Sequence, residues 1–262
     1  LLESAHKDLP VGEVPLSNEA LRQRLHIPAD EAITRSALLG IMAVREALRS
    51  AGVSPEEVPM AFVNGTTVGG MDCSEQYYLD FLNNDSRNEF IALHDVGACT
   101  RQIAEHTGPF VYQASTSTAC SSAANAIIHA ARMLECGEAE MAVAGGTECL
   151  TKFHLNGFNS LLILDNAPCR PFCKTRAGLN LGEGAAYVVL ETPEAAQRRG
   201  HQPLAILTGY GNACDAFHQT ATSETADGPY LAMRKALEKG GLTAQDIDLS
   251  LIHISEPTRL DV

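Results

Sequence analysis

Between Cys120 and Glu135 the chain has no proline and no glycine, and alanine and serine crowd the first half of the run. Ile127, Ile128, Met133 and Leu134 add apolar weight, and Gly137 stands where a helix would be capped. A helix with so little polar face has to be covered by neighbours on all sides. It therefore belongs between the layers of a fold. Upstream, Gly108-Pro109 breaks the chain, and Phe110, Val111 and Tyr112 read as a short buried strand.

Cys120 opens this helix. A thiol there faces the positive end of the helix dipole, which favours the thiolate. Helix N-termini can bring a cysteine from pKa ~8.5 to roughly 3.5–7.5. Backbone N–H groups left unpaired in the first turn can also hold a developing oxyanion. Nucleophile and electrophile stabiliser would then come from one element. The competing reading is a small core residue, since free cysteine is among the most buried residue types. The chain has eight cysteines, so position alone does not decide between the two.

Composition narrows the class. Hydrophobic residues make up 45% and charged residues 19%, as in ordinary globular proteins, and no apolar run reaches the ~20 residues of a membrane span. The first eight residues have neither the basic start nor the apolar core of a signal peptide. A formal charge of −13 argues against nucleic acid as a partner. The cysteines follow no framework spacing, which points to a reduced, cytoplasmic setting. Cys169 and Cys173 form the close pair, yet zinc would need two further ligands at suitable spacing, so no metal is expected. Arg170, Lys174 and Arg176 cluster beside that pair and read as a solvated loop.

Helical and strand patterns alternate, which points to α/β. Ile33, Ala37, Ile41, Val44 and Leu48 follow helical spacing up to Gly52. Strands are expected at Met60–Val63, Met141–Ala144, Ala185–Leu190 and Leu204–Thr208, and further helices at Gly97–Glu105, from Pro193, and at Pro229–Lys239. The expected architecture is α/β/α layers around a central nucleophile helix.

With these pieces in order, the chain resembles a β-ketoacyl-acyl-carrier-protein synthase of the thiolase superfamily, over about Asp30 to Asp248. STACSSAANAI resembles the nucleophile helix, with Cys120 at the acylated cysteine. AVAGGTE (Ala142 to Glu148) resembles the strand and turn that follow it. GFNS (Gly157 to Ser160) resembles the segment whose phenylalanine, here Phe158, lines the acyl pocket. CRPFCKTRAGLNLGEGAAYVVLE (Cys169 to Glu191) resembles the long loop and strand beyond, and DAFHQT a loop beside the pantetheine tunnel, with Asp215, His218 and Thr220 at matching positions. The resemblance implies a thiolase-like fold and a ping-pong reaction without a bound cofactor. The cysteine takes an acyl group from an acyl carrier protein, and a malonyl thioester then loses carbon dioxide and attacks the acyl enzyme. It also implies a homodimer, in fatty acid, polyketide or aryl polyene synthesis.

The chain departs from this pattern near its end. After Ile247-Asp248 the family has Asn-Ala-His and alternating glycine and threonine; here Leu249 to Arg259 follow. His253 falls at the offset of the first family histidine, among neighbours that do not match. The second histidine, the lysine and a glycine-rich oxyanion loop have no counterpart. Residues 1–200 thus read as an N-terminal half lacking its first strand, 201–248 as the start of a C-terminal half, and 249–262 as a non-native tail. The expectation is a synthase truncated at both ends. Cys173 stands where an aspartate is common, and Leu162 where some members place an arginine that meets the carrier protein.

The alternatives are weaker. A thiolase shares fold and cysteine, but the segments after residue 157 fit the elongating synthases better. A chain-length factor, the non-catalytic partner of some polyketide synthases, usually lacks the nucleophile. A cysteine hydrolase needs a histidine base, and His129 lies inside the same helix as Cys120. Gly178 to Gly184 precedes a strand and opens no helix, the wrong context for a nucleotide phosphate.

Overall fold

The computed structural model describes residues 9–84, 86–171, 173–218, 222–250 and 258–259. They fall into two compact units, Leu1–Arg199 and Gly200–Val262. In the first, helices α1 (Asn18–Leu25) and α2 (Arg35–Ala51) precede strand β1 (Ala61–Gly65). Then come α3 (Met71–Asn84), α4 (Asn88–Ile91), α5 (Val96–Thr107), β2 (Tyr112–Thr116), α6 (Ser122–Glu135) and β3 (Met141–Glu148). Helix α7 (Lys152–Ser160), strand β4 (Gly184–Glu191) and helix α8 (Pro193–Arg199) complete the unit. Local chemistry sets the boundaries. Thr34 caps α2 by accepting the Ala37 N–H at 3.0 Å, and Gly52 ends it at φ 62°.

The sheet runs β2-β1-β3-β4, with β1 parallel to β2 and β3, and β4 antiparallel to β3. Side-chain size alternates along its central strands. Phe62, Met141 and Val143 join Ile41, Val44 and Ile103 in the core beneath α2 and α5. Ala61, Val63, Ala142 and Ala144 turn the other way, towards Ala126, Ala130 and Met133 of α6. Period-two alternation thus puts the bulky residues on one face and the small ones where α6 must come close. The result is a three-layer α/β/α arrangement.

Two glycines carry the close approach. A Cβ at Gly65 would lie 2.5 Å from the Ser122 carbonyl carbon, and one at Gly146 would lie 2.8 Å from the Ala123 Cβ. Backbone cannot give way as a flexible side chain can. Gly65→Ala is therefore expected to cost about 1–3 kcal/mol by overpacking. A urea titration checks it, and an unchanged midpoint would mean that α6 can slide.

Several expectations shift. The strand before α6 is Tyr112–Thr116, not residues 110–112, because this edge strand pairs Ala61 with Tyr112 and Gly65 with Thr116, and its side chains are mostly exposed. The helix starts at Ser122, two residues after Cys120. Its cover is also one-sided: the sheet buries Ala126, Ala130 and Met133, whereas Ala123, Ala124 and Arg132 are exposed. Alanine tolerates water at little cost, and Arg132 requires it. Gly137, at φ 73°, closes the helix with Glu138 N–H on Met133 O at 2.9 Å.

In the second unit, α9 (Asp227–Gly240) is followed by a short antiparallel pair, β5 (Leu249–Ser250) and β6 (Thr258–Arg259). Leu204–Thr208 is not a strand; it joins no sheet among the described residues, and Leu204 is 94% exposed. Its apolar pattern suits a strand, but a strand needs a neighbour to pair its backbone. Among the described residues no helix is long and apolar enough to cross a membrane.

Candidate active site

Because β2, β1 and β3 are parallel, their C-terminal ends share one edge of the sheet. Open α/β sheets bind ligands at that edge. Cys120 lies four residues beyond the end of β2, and α7 begins four residues beyond the end of β3. The turn that carries Cys120 is held by its own polar side chains. Ser122 Oγ accepts the Thr118 N–H at 2.9 Å and donates to Ala119 O at 2.7 Å. Ser121 Oγ donates to Thr118 O at 2.7 Å, and Asn125 Nδ2 donates to Thr118 Oγ1 at 2.8 Å. Ala119 takes φ 53°, a left-handed conformation that costs a non-glycine residue. This strained strand–turn–helix connection leaves Cys120 exposed just ahead of α6.

The neighbouring loop is locked from the next strand. Glu148, the last residue of β3, accepts the N–H groups of Thr67 at 2.5 Å and Val68 at 3.0 Å, and the Thr67 hydroxyl at 2.9 Å. Thr66 N–H donates to Thr116 O at 3.1 Å, joining the same loop to β2. The ends of all three parallel strands are thereby tied together next to the cysteine turn. Sequence reasoning singled out neither Glu148 nor the contact of Gly65 with Ser122. The available signal was an acid at the end of one strand and a Gly-Thr-Thr loop at the end of another, which become neighbours once both strands are parallel.

No thiol–imidazole pair forms within α6. His129 sits inside α6, nine residues on from Cys120, with its ring edge-on to Tyr112. Three other cysteines, Cys73, Cys99 and Cys149, are buried. Burial pushes their thiols up, Cys99 to about 12, so they stay protonated. No cluster of three or more His, Cys, Asp or Glu side chains among the described residues could hold a metal ion.

Residues 22–196 match the family model described as "Beta-ketoacyl synthase, N-terminal domain". The chain belongs to the β-ketoacyl synthase family. It is 35% identical over 230 residues to Nodulation protein E of Rhizobium meliloti, covering 85% of this chain and 56% of that protein. It is 30% identical over 242 residues to the 3-oxoacyl-[acyl-carrier-protein] synthase 2 of Staphylococcus aureus, covering 87% of this chain and 60% of that protein. Among solved structures it resembles the ishigamide ketosynthase/chain length factor, with a TM-score of 0.79, 28% identity, and 90% of this chain and 60% of that one covered. The chain thus spans little more than half the length of the curated relatives it matches, and its layered α/β/α architecture is that of the ketosynthases.

On this ketosynthase scaffold the remaining candidates belong to both units. Phe158 sits half-buried on α7, whose N-terminus is held by Glu75: its carboxylate accepts the Lys152 and Phe153 N–H groups at 3.0 and 2.6 Å. Asp215 and His218 belong to the second unit. The Asp215 carboxylate accepts the Ser223 N–H at 2.6 Å, the Ser223 hydroxyl at 2.9 Å and the Gly228 N–H at 3.2 Å. It ties its loop to the start of α9, a local bracing role. His218 is exposed, and Thr220 and His253 lie outside the described residues.

The bracing makes a pH prediction. The Ser223 backbone and hydroxyl hold the Asp215 carboxyl below the usual carboxylate range. A carboxylate depressed in the folded state contributes stability above its unfolded pKa of ~3.9, and loses it as pH falls through the lower folded value. Asp215→Asn should therefore destabilise the second unit at pH 7 and cease to matter in acid. Unfolding curves of both proteins from pH 7 to pH 3 check this; a constant gap would mean the carboxylate's charge is irrelevant.

Proposed function

We propose that the chain performs the acyl-accepting half of a ketosynthase reaction. The Cys120 sulfur attacks the carbonyl carbon of an acyl thioester, the carbon–sulfur bond to the carrier breaks, and the pantetheine thiol leaves with a proton. In a chain of the relatives' full length, a malonyl thioester would lose carbon dioxide and condense with that acyl group, in fatty acid, polyketide or aryl polyene synthesis. The observation that carries the reading is an exposed sulfur on a strained turn, ahead of a helix and at the C-terminal edge of three parallel strands. The helix N-terminus there favours the negative charge that develops on the tetrahedral oxyanion.

The proposed partner is an acyl carrier protein, in keeping with the name of the staphylococcal relative. The substrates then arrive on its phosphopantetheine arm, so no resident cofactor is invoked. Phe158 would contact the acyl chain, and His218 and Thr220 the pantetheine. Asp215 would serve by bracing the His218 loop. A homodimer in the cytoplasm completes the reading. The rival is a non-catalytic subunit of the chain-length-factor type, favoured by the ishigamide likeness and opposed by the cysteine at position 120.

Incubating the chain with an acyl carrier protein thioester and measuring its intact mass tests the proposal. The expected result is one acyl group per chain with release of the carrier thiol. Unmodified, folded chain would favour the non-catalytic reading.

A further inference from the structure

The loop between α7 and β4 contains a second cysteine site that the acyl chemistry does not use. Cys169 and Cys173 stand at either side of a turn in which the Cys173 N–H donates to Arg170 O at 3.2 Å. Such a bond brings the Cα atoms of Arg170 and Cys173 within ~7 Å, and Cys169 is the next residue back. Cys169 is exposed and Cys173 partly so.

Cationic and hydroxyl groups converge on Cys173. Its Sγ lies 3.1 Å from Thr175 Oγ1, which accepts from Arg170 Nη1 at 3.3 Å. Since the threonine oxygen already accepts, its hydrogen is free to point at the sulfur, an arrangement that suits an anionic acceptor. Arg176 Nη1 donates to Cys173 O at 2.9 Å, which holds a second guanidinium beside the same residue. Arg170 is itself oriented by Asp165 Oδ2 at 3.2 Å. The Thr175 hydrogen bond and the two arginines hold the Cys173 thiol below its ordinary range. On the other limb, Cys169 Sγ rests 3.8 Å from Gly178 O.

We propose that Cys173 is a peroxide-reactive thiol and that Cys169 resolves its oxidised form into a disulfide across the Arg170 turn. The Cys173 thiolate attacks one oxygen of hydrogen peroxide. The O–O bond breaks, sulfur becomes a sulfenic acid, and the departing hydroxide takes a proton to become water. The Cys169 thiol then gives up its proton as its sulfur attacks the Cys173 sulfur; the S–S bond forms, the S–O bond breaks, and the departing hydroxide takes that proton and leaves as a second water. Two thiols are oxidised by two electrons, and one peroxide is reduced to two waters.

The test treats the full chain with one equivalent of hydrogen peroxide, alkylates the remaining thiols, and maps the peptides. The expected product is a Cys169–Cys173 disulfide formed before Cys136 or Cys214 is modified. Cys169→Ser should accumulate a Cys173 sulfenic acid that dimedone traps. Thr175→Val, which removes the hydroxyl, should slow disulfide formation by about 3- to 10-fold. Oxidation of Cys169 and Cys173 at the same rate as Cys136 and Cys214 would overturn the proposal. So would an unchanged rate in Thr175→Val, or a Cys173 bridge to any other cysteine.

Discussion

Cys120→Ala is expected to lower acyl loading by at least about a thousandfold while leaving the fold intact. The side chain is exposed, so its loss removes no core contact, and stability should stay within about 0.5 kcal/mol. Activity and folding are thereby separated in one variant. Cys73, Cys99 and Cys149 cannot substitute, being 5%, 0% and 3% exposed. Cys136 is exposed but lies beyond the far end of α6, away from the strand-edge turn, and Cys214 belongs to the second unit. Ser122→Ala supplies an intermediate case: it deletes the hydroxyl that joins Thr118 N–H to Ala119 O, leaving the sulfur present and its turn held by Ser121 and Asn125 alone. Its loading should be slowed, and its stability reduced by about 1 kcal/mol. Intact mass against time for the three proteins checks the loading, and urea unfolding checks the stability. Full loading of Cys120→Ala would move the nucleophile elsewhere and remove the central element of the proposed function.

Much of this site was legible because its determinants are local. The small-residue helix, Gly137 at its end and the cysteine at its head are consecutive in the chain, and their resemblance to ketosynthase segments held over residues 22–196. The strand leading into that helix was placed too early because Gln113, Ser115 and Thr116 are polar. An edge strand whose side chains are mostly exposed carries a weak apolar signature, and its register with Ala61–Gly65 identifies it. Leu204–Thr208 fails in the opposite sense. Its pattern is good, but pairing depends on a neighbour that local sequence cannot supply.

Non-local polar contacts were the least legible. Glu148 and Thr67 are 81 residues apart, and nothing in either segment names the other. Parallel pairing of β1 with β3 creates the contact, and it becomes predictable only once that pairing is known. The same applies to Gly65, whose glycine looks like a turn signal. Its physical role is to let the backbone of Ser122 pass within a distance that no Cβ would allow.

Glu183 is the strongest case of such hidden wiring, and its removal should have the largest effect on stability. The sequence marks it as a carboxylate in a glycine-rich stretch. In the fold its side chain is 1% exposed and meets Arg35, itself 15% exposed, in a two-pronged pair at 2.5 and 2.9 Å. The carboxylate also accepts the Val14 N–H at 3.0 Å and the Leu150 N–H at 3.2 Å. One side chain therefore joins the N-terminal segment, the first residue of α2 and the link from β3 to α7. Glu183→Ala leaves a partly buried guanidinium without its counter-charge, for which the expected cost is about 3 kcal/mol. Replacing both residues, Arg35→Met with Glu183→Met, should cost less than the sum of the single changes, because no uncompensated charge remains. Urea unfolding of the four proteins measures the coupling. Since Leu150 lies two residues before α7, Glu183→Ala should also loosen the helix that carries Phe158 and raise hydrogen exchange there. Additive single and double changes would mean that solvent, not Glu183, neutralises Arg35, and the carboxylate would lose its place as the organiser of this side of the fold.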